Sequence, residues 1–461
     1  MQLRNWQEKC AGLAIEKFSQ EGQHFLCLAT PGAGKTVMAA EIVKRLFQTE
    51  KIDFVICFAP SITTTRGMQN TIEKTLGASL SGKIGALGVC VTYQSLSYQG
   101  ADFWKLFRTH KILAIFDEIH HCGGNSLLDS NIWGQHILVN VQNKATYTLA
   151  LSGTPWRSDN KPVTLSKYSD DNGHIVCDYE YGLNTAINEN VCRTPHVTVI
   201  DNDNISVEGE SKDRKTYKSI ELALKNSEVS YQSIIESDAV IEYCLNEASS
   251  RLKKIKNANA NAAGLIVASS VVHANKIAQI LTTKLNKTVH IVNYKDSESG
   301  NIIEHFQHNN IEWLVSVGMV SEGTNIPRLQ VCCHLTRIKT ELHFRQVLGR
   351  IMRLTAQDKD KEAHLFAPAQ PKLIEYARRL TDDIPDATLA TIVVDGPPIL
   401  ILPPTEDSNR SPGDKVDDDE VLEKPKLGLT SAKPESPETM ADLFFSNLLF
   451  NGRFTKTLIN F

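Results

Sequence analysis

Phe25-Leu26-Cys27-Leu28-Ala29-Thr30-Pro31-Gly32-Ala33-Gly34-Lys35-Thr36 is the stretch that decides the fold. The apolar run Phe25 to Leu28 reads as a buried strand, and Val37 to Phe47 has the spacing of a helix. Between them, Gly32 and Gly34 let the backbone turn its N–H groups onto an anion, and the helix N-terminus adds a favourable dipole. A strand, a glycine-bearing loop and a helix opening on Lys-Thr form a phosphate cradle. Thr30, Pro31 and Ala33 complete the loop. Lys35 is placed to reach the β- and γ-phosphates of a nucleotide, and the Thr36 hydroxyl to bind Mg²⁺.

A second segment, Asp117-Glu118-Ile119-His120, follows another apolar run, Ile112 to Phe116. An Asp leaving a buried strand beside a phosphate loop is placed to hold the metal. A neighbouring Glu can orient and deprotonate an attacking water. Either segment alone is a weak signal. The two in order, each after a strand, point to nucleotide hydrolysis.

Composition bounds the reading. The chain has 461 residues, enough for two or three domains, with 41% hydrophobic and 22% charged residues, as in soluble globular proteins. A net charge of −4 says nothing for or against a local basic surface. The start, Met1 to Lys9, lacks a signal-peptide core, and no apolar stretch is long enough for a membrane span. The 10 cysteines include no C-x-x-C pair and read as reduced thiols of a cytoplasmic protein. His120-His121-Cys122 has no matching ligand pair elsewhere, which argues against zinc.

Two α/β blocks follow one another. The first has β-rich runs at Phe25–Leu28, Phe54–Phe58, Leu87–Val91, Ile112–Phe116 and Tyr147–Leu151. The second has them at Gly264–Ala268, Val289–Val292, Trp313–Val317, Val331–Leu335 and Ala363–Phe366, with no phosphate loop of its own. Helical patterns separate many of these runs, which predicts mostly parallel sheets covered by helices. Beyond them, Pro403 to Met440 is rich in Pro, Ser, Asp and Glu and reads as a linker. Ala441 to Phe461 is apolar again, a docking segment either for a protein partner or for the chain's own core.

Over roughly residues 1–370 these motifs resemble, in order, those of a superfamily 2 helicase of the DExH type (the DEAD/DEAH-box class). The resemblance is to the compact bacterial and phage group related to restriction-enzyme motor domains and to the repair and transcription translocase. It implies an α/β fold of two tandem RecA-like domains with parallel sheets, plus a flexible C-terminal tail. The expected division is 1–193, 194–384, a linker over 385–440 and a docking segment over 441–461. It also implies ATP and Mg²⁺ as cofactors and nucleic acid as partner, DNA before RNA.

The resemblance carries roles residue by residue. Gln7 matches a glutamine that reads adenine. Ala59-Pro60-Ser61, with Arg66 beyond it, and Thr92-Tyr93-Gln94-Ser95 resemble strand-contacting motifs, as does Ala268-Ser269-Ser270. Ser152-Gly153-Thr154-Pro155 resembles the motif coupling hydrolysis to movement, with His120 and the Ser152 and Thr154 hydroxyls as its parts. Ser316 to Pro327 resembles motif V, with Gly323 and Asn325 toward ATP and Thr324 toward the strand; Asn325 stands where an Asp is usual, keeping an acceptor but losing the charge. His343 to Arg353 resembles motif VI. Gln346, Arg350 and Arg353 share a helix face, and the arginines are the expected fingers on the γ-phosphate.

Three functions fit: a nucleic-acid-dependent helicase or translocase, a motor subunit of a restriction or phage-defence complex, and an ATP-driven clamp that does not unwind. In all three Glu118 activates water. Glu118→Gln is expected to bind ATP like the wild type and to lose turnover. Wild-type hydrolysis by that variant would remove Glu118 from the role.

Overall fold

The computed structural model describes residues 2–20, 22–123, 131–153, 164–165, 167–168, 175–208, 214–294, 296, 298–318, 326–355, 357–382, 392–393 and 447–460. Thr154, Gly323, Thr324 and Asn325 lie outside the described residues, as does the Pro/acidic stretch 394–446.

The first sheet is built from β1 (His24–Ala29), β2 (Phe54–Ala59), β3 (Gly88–Thr92), β4 (Ile112–Asp117) and β5 (Tyr147–Ser152). A short hairpin, β6 (Lys167–Tyr168) with β7 (Ile175–Val176), precedes β8 (Tyr179–Tyr181). The order is β3-β2-β4-β5-β1-β8, all parallel. Every residue of β4 is buried, as a strand covered on both faces must be. That double covering is why these strands are continuous apolar runs rather than alternating ones.

The second part supplies β9 (Thr194–Asn202), β10 (Ile205–Glu208), β11 (Arg214–Tyr217), β12 (Ala263–Ala268), β13 (Val289–Asn293), β14 (Trp313–Val317), β15 (Leu329–Leu335), β16 (Glu362–Pro368), β17 (Ile392–Val393), β18 (Asn447–Phe450) and β19 (Phe454–Asn460). The large sheet runs β13-β14-β12-β15-β16-β9-β19-β17; it is parallel as far as β9 and closes with two antiparallel strands. The chain is thus two tandem RecA-like α/β units, each with its parallel sheet between helices. Arg328 pins the second unit. Its buried guanidinium donates to the carbonyls of Asn261, Phe306, Asn309 and Ile311 and lies over the Phe306 ring at 4.7 Å. Four carbonyls around one permanent cation are satisfied with no acid nearby in that set.

All ten β-rich runs of the sequence reading fall on strands. Three features differ from it. β8 and β9 extend the two sheets beyond the runs expected. Ile392–Val393, expected within the linker, is a strand on β19. The described part of the apolar terminal segment pairs with the chain's own strands: β18 with β10, and β19 with β9 over Phe454 to Asn460. Phe454 stacks on Tyr243 at 4.5 Å, Lys456 meets Glu247 at 3.0 Å, and Ile459 is 5% exposed. Of the two docking alternatives, own core or partner, these contacts are those of the first.

Because Ile459 is buried on β19, Ile459→Ala is expected to destabilise the protein by roughly 2–5 kcal/mol in denaturant unfolding. A change under about 0.5 kcal/mol, the level of an exposed position, would mean that the terminal hairpin is not docked in solution.

Candidate nucleotide site between the two units

The site is assembled by strand order. In the first sheet β5 lies between β4 and β1, with Asp117 in register with Leu151 and Leu28 with Ser152. The C-terminal ends of β4, β5 and β1 therefore emerge side by side. They carry the acidic pair, Ser152-Gly153 and the glycine loop.

Gly34 has φ +98° and caps the helix Lys35–Gln48 without any side-chain hydrogen bond. Gly32 is also left-handed, at φ +87°. A helix start capped by backbone alone leaves its first amides for an anion. From behind, the Gln7 amide donates to the Gly34 carbonyl at 2.9 Å, and its oxygen accepts from the Arg4 N–H at 2.9 Å. The Arg4 guanidinium donates to the Ala33 carbonyl at 2.7 Å. Gln7 is 3% exposed, so its first visible task is to brace the loop.

Lys35 Nζ donates to the Ala29 carbonyl at 3.2 Å and lies 3.2 Å from Glu118 Oε1. Glu118 Oε2 accepts from the Gly153 N–H at 3.2 Å and sits 3.4 Å from His120 Nδ1. His120 Nδ1 is in turn 2.9 Å from Ser152 Oγ. Of the residues expected to couple hydrolysis to movement, His120 therefore touches both Ser152 and the candidate base. Burial opposes ionisation of Glu118, but Lys35, His120 and the Gly153 amide outweigh it and hold the carboxyl down at about 2. A carboxylate held down by Lys35 is a weaker base for as long as that cation is its partner.

The second unit closes over the loop. Gly349, on the helix Glu341–Ile351, packs so closely that an added Cβ would fall 2.4 Å from Pro31 Cβ. Arg353, expected on the helix face of Gln346 and Arg350, instead lies past the helix end at Ile351, bridged to Cys192, and a Cβ on Gly32 would meet its Cγ at 3.2 Å. Cys192, from the connection between the units, directs its Sγ to the Pro31 carbonyl at 3.7 Å. Burial and the neighbouring Arg350 cation push the Arg353 guanidinium down to about 9. Lys35 in the loop, Arg353 against Gly32 and Arg350 close to Arg353 thus bring three cations to this side of the seam. Burying so many cations together fits a polyanion such as a triphosphate. Thr36 at the helix start and Asp117 at the end of β4 supply the oxygen ligands that Mg²⁺ prefers.

The candidate strand contacts are spread over two surfaces. Thr92 ends β3 opposite Ala59 of β2, and Arg66 is exposed on the helix Ile62–Leu76. Ser61 and Ser270 cap helices, accepting from the Thr64 and His273 amides. Ser269 Oγ donates to Glu236 at 3.1 Å. Three contributors escaped the sequence reading: Arg4, Gly349 as a close-approach position, and Tyr93, whose hydroxyl donates to the Asp117 carbonyl at 2.8 Å. A backbone carbonyl leaves no trace in a motif, so the last had no signal to find.

Known proteins share this arrangement. Residues 1–157 match the family described as type III restriction enzyme, res subunit, and residues 246–355 match the helicase conserved C-terminal domain. An uncharacterized protein of Mycobacterium leprae (strain TN) is 28% identical over 396 residues, covering 82% of this chain and 64% of that protein. The chain therefore spans somewhat less than two thirds of that relative. A fragment ascribed to the HsdR subunit of a type I restriction enzyme from Vibrio vulnificus YJ016 has the same fold, with a TM-score of 0.55 at 15% identity over 81% of this chain and 65% of that one. So does the ATP-dependent type ISP restriction-modification enzyme LlaBIII, solved bound to DNA, with a TM-score of 0.52 at 12% identity over 83% of this chain and 30% of that one. Residues 1–157 and 246–355 thus match, in order, the two domain models of a superfamily 2 helicase related to restriction-enzyme motor domains.

Gly349→Ala is expected to force the second unit off Pro31 and to carry Arg350 and Arg353 with it. A displacement near 1 Å at reacting groups can cost on the order of 100-fold in rate. Turnover should fall on that scale, while nucleotide binding, measured with a fluorescent analogue, stays within a few fold. Unchanged turnover would show that this close approach plays no part in hydrolysis.

Proposed function

We propose that the protein is an ATP-dependent helicase or translocase acting on nucleic acid, DNA before RNA. The observation that carries this is the convergence of Lys35, Glu118, Gly153, Gly349 and Arg353 on one seam between two RecA-like units. A metabolic ATPase has no use for the second unit's arginines. The preference for DNA is supported by the res-subunit match and by the DNA in the LlaBIII complex.

In this reading residues 1–193 and 194–384 are the two halves of the motor. Gln7 reads adenine with the polar groups left after bracing the loop. The loop from Thr30 to Thr36 binds the phosphates, with Lys35 on the β- and γ-groups. Thr36 and Asp117 would hold Mg²⁺, which would neutralise phosphate charge. Lys35 turns from Glu118 to the phosphates. With that cation gone, burial raises the Glu118 carboxylate toward a useful basicity, and it takes the proton of the attacking water. Gln346 faces that water, and Arg350 and Arg353 bear the charge that develops on the transferred phosphoryl group. His120 and Ser152, with Thr154, pass the change in Glu118 to the outer surface. There Arg66, Thr92, Ser269 and Thr324 hold a strand by its backbone. Gly323 and Asn325 complete the nucleotide side.

A second reading, a motor subunit of a restriction or defence complex, is favoured by the restriction-enzyme match over residues 1–157. Hydrolysis by the purified chain, with Lys35→Ala as the blank, separates the two. Stimulation of at least about tenfold by single-stranded DNA, duplex DNA or RNA supports a self-sufficient motor and names its track. Slow wild-type hydrolysis that none of these stimulates would overturn that reading in favour of the subunit.

A further inference from the structure

We propose that Tyr93 is a positioning residue that carries the state of the strand-facing surface to the candidate catalytic carboxylate. The inference rests on the nucleic-acid-dependent reading above and deepens it.

Tyr93 is completely buried, and its hydroxyl donates to the Asp117 carbonyl at 2.8 Å. That carbonyl belongs to the peptide joining Asp117 to Glu118. Its orientation is therefore one of the two torsional controls on where Glu118 begins. Glu118 has φ +50° and ψ +55°, a left-handed conformation that side-chain-bearing residues rarely hold without support. A buried hydroxyl on the preceding carbonyl is such support. It holds the peptide plane independently of the Glu118 carboxylate, whose own anchors are Lys35, Gly153 and His120.

At its other end Tyr93 is tied to the outer surface. It follows Thr92, the last residue of β3, and opens the 3-10 helix Tyr93–Tyr98. Gln94, Ser97 and Tyr98 of that turn are exposed, Tyr98 at 87%. Thr92 pairs with Ala59, immediately before Pro60-Ser61, so both candidate strand-contacting segments of the first unit leave neighbouring strands. The Tyr93 ring stacks on Trp133 at 5.7 Å and 21°, which keeps it from swinging sideways. A displacement of the turn by a bound strand is thus delivered along a rigid ring to the Asp117–Glu118 peptide. Apolar packing would accept Phe at this position. Only the hydroxyl links the two places.

The test is Tyr93→Phe, which removes that hydroxyl and nothing else. ATP hydrolysis is measured against increasing single-stranded DNA, with nucleotide affinity from a fluorescent ATP analogue and the thermal midpoint as controls. The stimulated kcat is expected to fall about tenfold, the scale of one buried hydrogen bond. The DNA concentration giving half-stimulation and the nucleotide affinity should stay within about twofold. A purely structural hydroxyl would lower the midpoint and leave kcat alone, and that outcome overturns the proposal. So does a loss of kcat matched by an equal loss of DNA or nucleotide binding. A wild type that DNA fails to stimulate sinks the underlying reading first. Normal wild-type stimulation with an unaltered Tyr93→Phe enzyme sinks only the role of Tyr93.

Discussion

The ion pair between Lys35 and Glu118, at 3.2 Å, is the contact on which the organisation of the first unit turns. Its partners come from strand ends that are not neighbours: Lys35 follows β1 and Glu118 follows β4, with β5 between. The pair closes because Gly153, just past β5, lacks a Cβ that would crowd Lys35 Nζ and donates its N–H to Glu118. A parallel sheet brings every such strand end to one edge, and ligands of open α/β sheets gather there. The sheet order is therefore the first cause of the site, and the motif residues are its occupants.

Glu118 holds its place under tension. A left-handed conformation costs an L-residue about 1–2 kcal/mol, and Glu118 adopts it at φ +50°. Four contacts outweigh that cost: the Lys35 cation, the Gly153 amide, the His120 ring and, through the preceding carbonyl, the Tyr93 hydroxyl. Each comes from a different part of the chain. A carboxylate held against strain by several groups responds when any one of them moves. In the proposed motor that property would suit the residue assigned to activate water.

Much of this was legible in the sequence, for a physical reason. Strands buried on both faces must be apolar throughout, so β1, β2, β4 and β12 announce themselves. Glycines and a Lys-Thr pair between a strand and a helix point to phosphate. Less legible was whatever depends on pairing at a distance. β8 is three residues long, and nothing local says that Tyr179–Tyr181 joins β1. The edge pairing of β19 with β9 joins residues some 250 apart, so apolar content predicted docking without its address. Gln7 carries an amide that suits an adenine edge, and beside that expectation the structure adds a bond to the Gly34 carbonyl that no motif marks. Tyr93 and Arg4 act on main-chain carbonyls, which every residue has, so no pattern of side chains marks them.

The arginines of the second unit say why nucleotide and closure should be linked. Arg353 packs on Gly32, and Arg350 stands close enough to lower its basicity together with burial. Bringing the Arg353 guanidinium, with Arg350 beside it, to a loop that already holds Lys35 raises the electrostatic free energy of the closed arrangement, because like charges repel more strongly as water is excluded. Glu118 offsets one of the three cations. A chain of phosphates would reverse the sign, since the same three cations then face an anion they can share. The closed form is thereby stabilised in proportion to the negative charge placed in the seam. In the proposed motor, removing the terminal phosphate would take away the charge assigned to Arg350 and Arg353. Coupling between hydrolysis and opening then follows from charge counting at one seam, provided that each unit stays rigid enough to move as a body. Dense cores and the four carbonyls gathered on Arg328 supply that rigidity in the second unit.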